Sequence, residues 1–175
     1  MRFLLHRSLS VDEFLEQVAR RGSWVGGGSV AALSAALSAA LLEKLVTRPR
    51  ARRTLQQIRS VCVTLIDRDA ETFSGVIQAM RRKNQAGFRQ ALRRATDVPQ
   101  QVVVSAATVQ AACRVARRTI NPRFQSDLRC AEALAKASGV AARALIRTNL
   151  VWLKDPAYTR ATRRRLAAAM RRAAR

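Results

Sequence analysis

The chain has 175 residues, 49% of them hydrophobic and only 5% aromatic, and carries 33 basic against 11 acidic residues for a formal net charge of +22. That length suits one domain with a sizeable core, and the charge predicts attraction to polyanions of many kinds, with non-specific nucleic-acid binding among the outcomes. Cys62, Cys113 and Cys130 form no CxxC pair and His6 is the one histidine. A disulfide framework, a zinc site and a histidine-based metal centre are therefore not expected, nor is a tightly bound cofactor.

The first nine residues are too short and too broken for a secretory signal, and no run reaches ~18 uninterrupted apolar residues. The nearest candidate, 29–42, is mostly Ala and Ser and reads as a buried helix. A cytoplasmic protein with no membrane contact is expected. Ala, Leu, Arg and Gln dominate, period-two alternation is absent, and the expected fold is all-α: five to six helices in an antiparallel, bundle-like arrangement. Residues 1–175 read as a single domain, with 156–175 a basic peripheral tail.

In chain order, Ser10 is placed to cap a first helix with Glu13 as its capping-box partner, and Val11, Phe14, Leu15 and Val18 predict one apolar face. Gly26-Gly27-Gly28-Ser29 follows. Three glycines predict either positive φ or a close approach of ligand or backbone. Ser29 is expected to cap a helix to about Val46, so rich in Ala and Ser that it belongs at a bundle centre or a subunit interface. Arg48-Pro49-Arg50 interrupts the pattern, and a long helix from about Ala51 to Met80 carries the stripe Leu55, Ile58, Cys62, Leu65, Phe73, Val76 and Met80. Asp69 lies in that stripe, where a carboxylate needs a partner, water or a raised pKa.

The next helix is expected from about Phe88 to Thr119, with Pro99 kinking or dividing it. Asn121-Pro122 makes a turn, and Ser126-Asp127 opens a helix to about Trp152 that Asp155-Pro156 ends. The residues from Thr159 carry seven arginines and no acid.

The run Gly26-Gly27-Gly28-Ser29-Val30-Ala31-Ala32-Leu33, the segment Asp67-Arg68-Asp69-Ala70-Glu71-Thr72-Phe73, then Ala95-Thr96-Asp97-Val98-Pro99, Asn121-Pro122 with Ser126-Asp127, and Asn149-Leu150 with Asp155 occur in one order. In that order and spacing, across about Ser10 to Asp155, the chain resembles the cyclodeaminase/cyclohydrolase family of folate enzymes. It departs from the family's pattern at Ser23-Trp24-Val25, where a proline is usual, at Leu145, where an asparagine is often found, and in a shortened stretch after Val46.

The resemblance implies a helical homodimer with a folate cleft near the glycine run and a tetrahydrofolate derivative as substrate. Family members either close N5-formiminotetrahydrofolate to 5,10-methenyltetrahydrofolate with loss of ammonia, or hydrolyse the methenyl compound to 10-formyltetrahydrofolate. No transferase domain lies within these residues, which tilts the expectation to hydrolysis, with the cyclodeaminase as the alternative. Asp69 is the candidate catalytic base, with Asp67 and Asp127 as further candidates. Gly26, Gly27, Gly28, Ser29, Asn121, Ser126 and Asn149 are candidate substrate contacts. Of three basic clusters, Arg48, Arg50, Arg52 and Arg53 or Arg81, Arg82 and Lys83 would line the path of a polyglutamate tail, and Arg163, Arg164 and Arg165 would not. A catalytically silent basic binding protein is the competing reading. Asp67, Asp69 and Asp127 around one cleft would favour the enzyme, and their dispersal over unrelated faces the binding protein.

Overall fold

The structure, a computed structural model, describes residues 8–174, with side chains to 171; His6 lies outside the described residues. Six α-helices follow one another: α1 (Val11–Ala19), α2 (Gly27–Leu45), α3 (Pro49–Arg81), α4 (Gln85–Ala116), α5 (Gln125–Leu153) and α6 (Pro156–Ala174). A 3₁₀ turn, Pro122–Phe124, precedes α5, and no strand occurs among the described residues.

Helix α2 organises the rest, packing on α3, α4 and α5 at once. Gly28, Ser29, Ala31, Ala32, Ala35, Ala36, Ser38, Ala39 and Leu42 are all buried along it. Side chains this small let neighbouring backbones come close, and hydroxyls then reach across. Ser38 Oγ donates to the Ala131 carbonyl at 2.6 Å, and Ser138 Oγ donates back to the Ala31 carbonyl at 2.8 Å. The two bonds fix an antiparallel register between α2 and α5, because residue numbers rise on one helix as they fall on the other. Helix α2 is long and apolar enough to cross a membrane, but 50% of the stretch is buried inside the bundle, as a core helix requires.

Ser10 caps α1 with the expected reciprocal Glu13 bond. Of the apolar face expected there, only Phe14 is buried; Val11, Leu15 and Val18 are exposed, because α1 lies at the margin of the bundle. Phe73 and Met80 are likewise exposed. The inward face of α3 runs instead through Leu55, Cys62, Leu65, Ile66, Ala70 and Val76. Helix α4 starts at Gln85, earlier than expected, capped by the Asn84 side chain, which accepts from Gly87 N–H. Basic α6 is a regular helix lying against α4. Asp155 ends the turn after α5 by accepting from Tyr158 N–H at 2.9 Å and pairing with Arg93 at 2.7 Å.

Pro99 neither ends nor divides α4; the helix continues through it. Proline has no N–H for the carbonyl four residues earlier, so the Ala95 carbonyl loses its helical partner. Asn149 on α5 supplies the replacement, its Nδ2 donating to Ala95 O at 3.3 Å. This accounts for an asparagine in a helix interior. Asn149→Ala is therefore expected to cost about 1–2 kcal/mol in urea unfolding. Pro99→Ala restores an N–H to that carbonyl, so the asparagine truncation should cost measurably less in the Pro99→Ala background.

Candidate functional site

The N-terminus of α2 meets the middle of α3. Gly26 is the N-cap residue of α2, in an extended conformation and with no side chain to offer the first turn. Ser29, expected as the cap, sits instead inside the first turn, fully buried. The capping group comes from forty residues away: Asp69 Oδ2 accepts the Ser29 N–H at 2.9 Å and lies 3.2 Å from Ser29 Oγ. The Ser29 hydroxyl also reaches the Ile66 carbonyl at 3.0 Å. A carboxylate at a helix N-terminus meets both an orphan donor and the positive end of the helix dipole.

The glycine run is explained by this contact rather than by positive φ, which among the glycines occurs only at Gly22. A Cβ on Gly28 would stand 1.9 Å from Asp69 Oδ1, so the carboxyl occupies the space of the missing side chain. At Gly27 a Cβ would meet only Leu145 Cδ2, at an ordinary 3.7 Å.

Asp69 forms part of the wall of a cavity of about 250 Å³. Helix α3 contributes Asp69, Phe73 and Val76; α4 contributes Leu92, Ala95 and Pro99; α5 contributes Leu145, Thr148, Asn149 and Trp152. Trp24 and the three glycines close the end, with the Trp24 ring edge-on to Phe73 at 6.5 Å between centroids. Asp69 is the one ionisable side chain among these. Burial pushes its carboxyl above the usual aspartate range, against the pull of its Ser29 hydrogen bonds. The cleft is thus an apolar, aromatic-edged slot with a single acid at its glycine end, able to exchange one proton with a bound flat molecule.

Of the residues singled out from the sequence, Gly26, Gly27, Gly28, Asp69 and Asn149 meet at this cavity, and Ser29 stands directly behind Asp69. The others lie elsewhere. Asp127 pairs with Lys44 at 3.3 Å on the surface, so the three acids do not converge. Asp67 is half-buried and lines no part of the cleft. Asn121 accepts from Arg123 N–H and so caps the 3₁₀ turn, and Ser126 is exposed in the first turn of α5.

Arg50, Arg52, Arg53, Arg81, Arg82 and Lys83 are all exposed and none lines the cavity. At 1.5 Å per residue Arg81 lies roughly 18 Å along α3 from Asp69, and Arg52 roughly 25 Å in the other direction. Arg163, outside the cleft, lines a separate groove between α5 and α6 with Arg143 and Arg147. Trp24, Phe73, Thr148 and Trp152 are not among the site residues expected from sequence. Their signal was spacing: Phe73 stands four residues after Asp69, and Leu145, Asn149 and Trp152 follow one another at helical intervals. Among the described residues no group of three His, Cys, Asp or Glu is arranged to hold a metal ion.

With this geometry in view, comparison with known proteins is decisive at the level of family. The model of the formiminotransferase-cyclodeaminase family matches residues 10–168. The chain belongs to the formiminotransferase-cyclodeaminase family. A solved structure of formiminotetrahydrofolate cyclodeaminase from Thermotoga maritima superposes with a TM-score of 0.82 at 22% identity, covering 95% of this chain and 88% of that one. At that identity the likeness establishes a shared fold. Comparison with curated proteins gives no match. Trp24 and Leu145, two of the positions where the sequence departs from the pattern it resembles, both fall on the wall of the cleft.

Two measurements test the contact between Gly28 and Asp69. Gly28→Ala is expected to lower stability by about 1–3 kcal/mol, as overpacking does, while Gly27→Ala should be neutral or mildly stabilising; thermal melts of the two variants compare them directly. The second concerns pH. A carboxyl whose folded pKa is raised holds its proton more tightly when native, so its stabilisation is complete below the unfolded pKa and is lost as pH rises through the folded one. Asp69→Asn, neutral throughout, should therefore melt above wild type at alkaline pH, with the gap closing on acidification.

Proposed function

We propose that this chain is a formiminotetrahydrofolate cyclodeaminase, closing the 5-formimino compound to 5,10-methenyltetrahydrofolate with release of ammonia. The observation that carries this reading is Asp69, a lone carboxyl of raised pKa on the wall of an apolar, aromatic-edged cleft. Family membership and the fold shared with a protein described as a cyclodeaminase support it.

The substrate's formimino group is a protonated amidine, and N10 is its internal nucleophile. As the N10 lone pair forms a bond to the formimino carbon, the proton on N10 passes to the Asp69 carboxylate. The carbon is then tetrahedral and bears an amino group. Asp69 returns the proton to that nitrogen, the C–N bond breaks, ammonia departs, and the methenyl cation remains. One proton travels from N10 to ammonia, the ligand keeps a single positive charge at both ends, and one carboxyl serves as base and then acid. Holding N10 against the carbon in a closed slot supplies the rest of the advantage.

Charge conservation also moves the reading away from hydrolysis, the reaction favoured from sequence. Adding water to the methenyl cation ends in a neutral formyl product, so a buried carboxylate beside it would favour the reactant over the product. In the cyclodeaminase direction the carboxylate faces a cation at both the start and the end of the reaction. The homodimer implied by the resemblance has a surface to use, since Val30, beside the glycine turn, and Leu37, two turns further on, are exposed on the outer face of α2.

The test is to add purified protein to 5-formiminotetrahydrofolate and follow methenyl absorbance and ammonia together. Both should appear in equal amounts, with a rate that falls as pH drops through the raised Asp69 pKa, because the base form takes the N10 proton. Asp69→Asn should lose about 10²–10⁴-fold in kcat with a smaller change in KM. Loss of methenyl absorbance above the buffer rate, without any action on the formimino compound, would instead make it the hydrolase; no effect on either substrate would remove the enzymatic reading.

A further inference from the structure

Ser29 Oγ carries one hydrogen and has two oxygens in reach, the Ile66 carbonyl at 3.0 Å and Asp69 Oδ2 at 3.2 Å. It cannot donate to both. If the hydroxyl donates to Ile66, its contact with Asp69 is a hydrogen bond only when the carboxyl bears a proton and donates it to Oγ. If the carboxyl is ionised, the hydroxyl must turn to it. An ionised carboxyl calls for the hydroxyl to be turned toward it, and a carboxyl protonated on Oδ2 calls for it to be turned toward Ile66.

We propose that Ser29 is a positioning residue whose hydroxyl switches between the Ile66 carbonyl and the Asp69 carboxylate each time Asp69 loses or regains its proton. This rests on the reading of Asp69 as the acid–base group, and it assigns Ser29 a role behind the acid rather than on the substrate. The switch is cheap at its other end. Ile66 lies within α3, so its carbonyl keeps the helical N–H of Ala70 when the hydroxyl turns away. The Ser29 N–H holds Oδ2 in both states, so the carboxyl stays in place while its proton moves. Ser29 is fully buried, and no water is needed to stabilise the charge from behind.

Among the described residues no other charged side chain lines the cleft. On α2 the charged residues are Glu43 and Lys44, at the far end and paired with Arg59 and Asp127. Helices α4 and α5 present only uncharged side chains to the cleft, and the turn before α2 presents Trp24. On α3 itself, Arg68 and Glu71 face a separate groove between α3 and α4, and Asp67 lines neither cavity. Burial and the two bonds from Ser29 are what act on the carboxyl.

The experiment reads Asp69 directly in the ligand-free protein, by the carboxyl ¹³C shift of aspartate-labelled wild type, Ser29→Ala and Ser29→Thr, with Asp69→Asn identifying the signal. Helical circular dichroism confirms that each variant is folded. Ser29→Ala deprives the ionised state of a charge-assisted bond, so the Asp69 midpoint should move upward from wild type. Ser29→Thr, which keeps the hydroxyl, should return it. In turnover, Ser29→Ala should lower kcat roughly tenfold on the acid side of the profile and far less on the alkaline side, with KM little changed. An unmoved midpoint in Ser29→Ala, or an equal rise in Ser29→Thr, overturns the proposal. Because the titration needs no substrate, it stands even if wild type fails to turn over the formimino compound, an outcome that would count against the cyclodeaminase reading alone.

Discussion

The close approach of α2 to its neighbours is the constraint on which the rest depends. Its buried residues are glycine, alanine and serine with a single leucine, so the helices around it stand near enough for side-chain hydroxyls to reach backbone carbonyls directly. Ser38 and Ser138 use that proximity to bind α2 to α5. Gly28 carries it to its limit, because the space left by its missing Cβ is where the Asp69 carboxyl sits. A bulkier α2 would push α3 away and take the acid with it.

The same packing sets the chemistry. An acid on a helix surface is solvated and ordinary; an acid pressed against a helix N-terminus and walled by apolar side chains is neither. Burial disfavours its charge while the Ser29 N–H and hydroxyl favour it, and the balance leaves the proton more tightly held than in free aspartate. Removing the acid is expected to stabilise the fold at high pH, so the site gives up stability to keep a carboxyl whose proton is held more tightly than usual. The polar groups beside it are mostly committed to structure: Asn149, the one amide on the wall, serves the carbonyl that Pro99 leaves unpaired.

The basic excess has a different standing. Ion pairs among the described residues use Lys44, Arg59, Arg93 and Arg117, and the clusters at Arg50 to Arg53 and Arg81 to Lys83 are exposed and remote from the cleft. Charges that far from a ligand and open to solvent are screened at physiological salt within roughly 8 Å. The field they make is general and belongs to the whole surface, whereas the cleft itself carries one acid and no base.

The sequence by itself determined the helices, their order and the family. Those follow from local rules: Ser10 and Glu13 cap α1 because they are three residues apart, and the 3.6-residue period of the apolar positions marks α3 to α5 without reference to anything distant. It also singled out Asp69 and the glycines, since an acid in an apolar stripe and three glycines in a row each break a local rule. What only the tertiary structure decided are the partners. Asp69 meets Ser29 across forty residues of chain and Asn149 meets Ala95 across 54, and neither pairing leaves a trace in the period of its own helix. Ser29 looked like a cap because serine before an apolar run usually is one; the capping group came instead from α3. Asp127 looked like a partner of Asp69 by type, and pairs with Lys44 on the surface. Phe73 and Met80 fitted the stripe of α3 yet lie exposed, because Phe73 lines the open cleft and Met80 stands in the last turn of the helix. Periodicity says which face a residue is on; only the neighbours that pack there decide what that face touches.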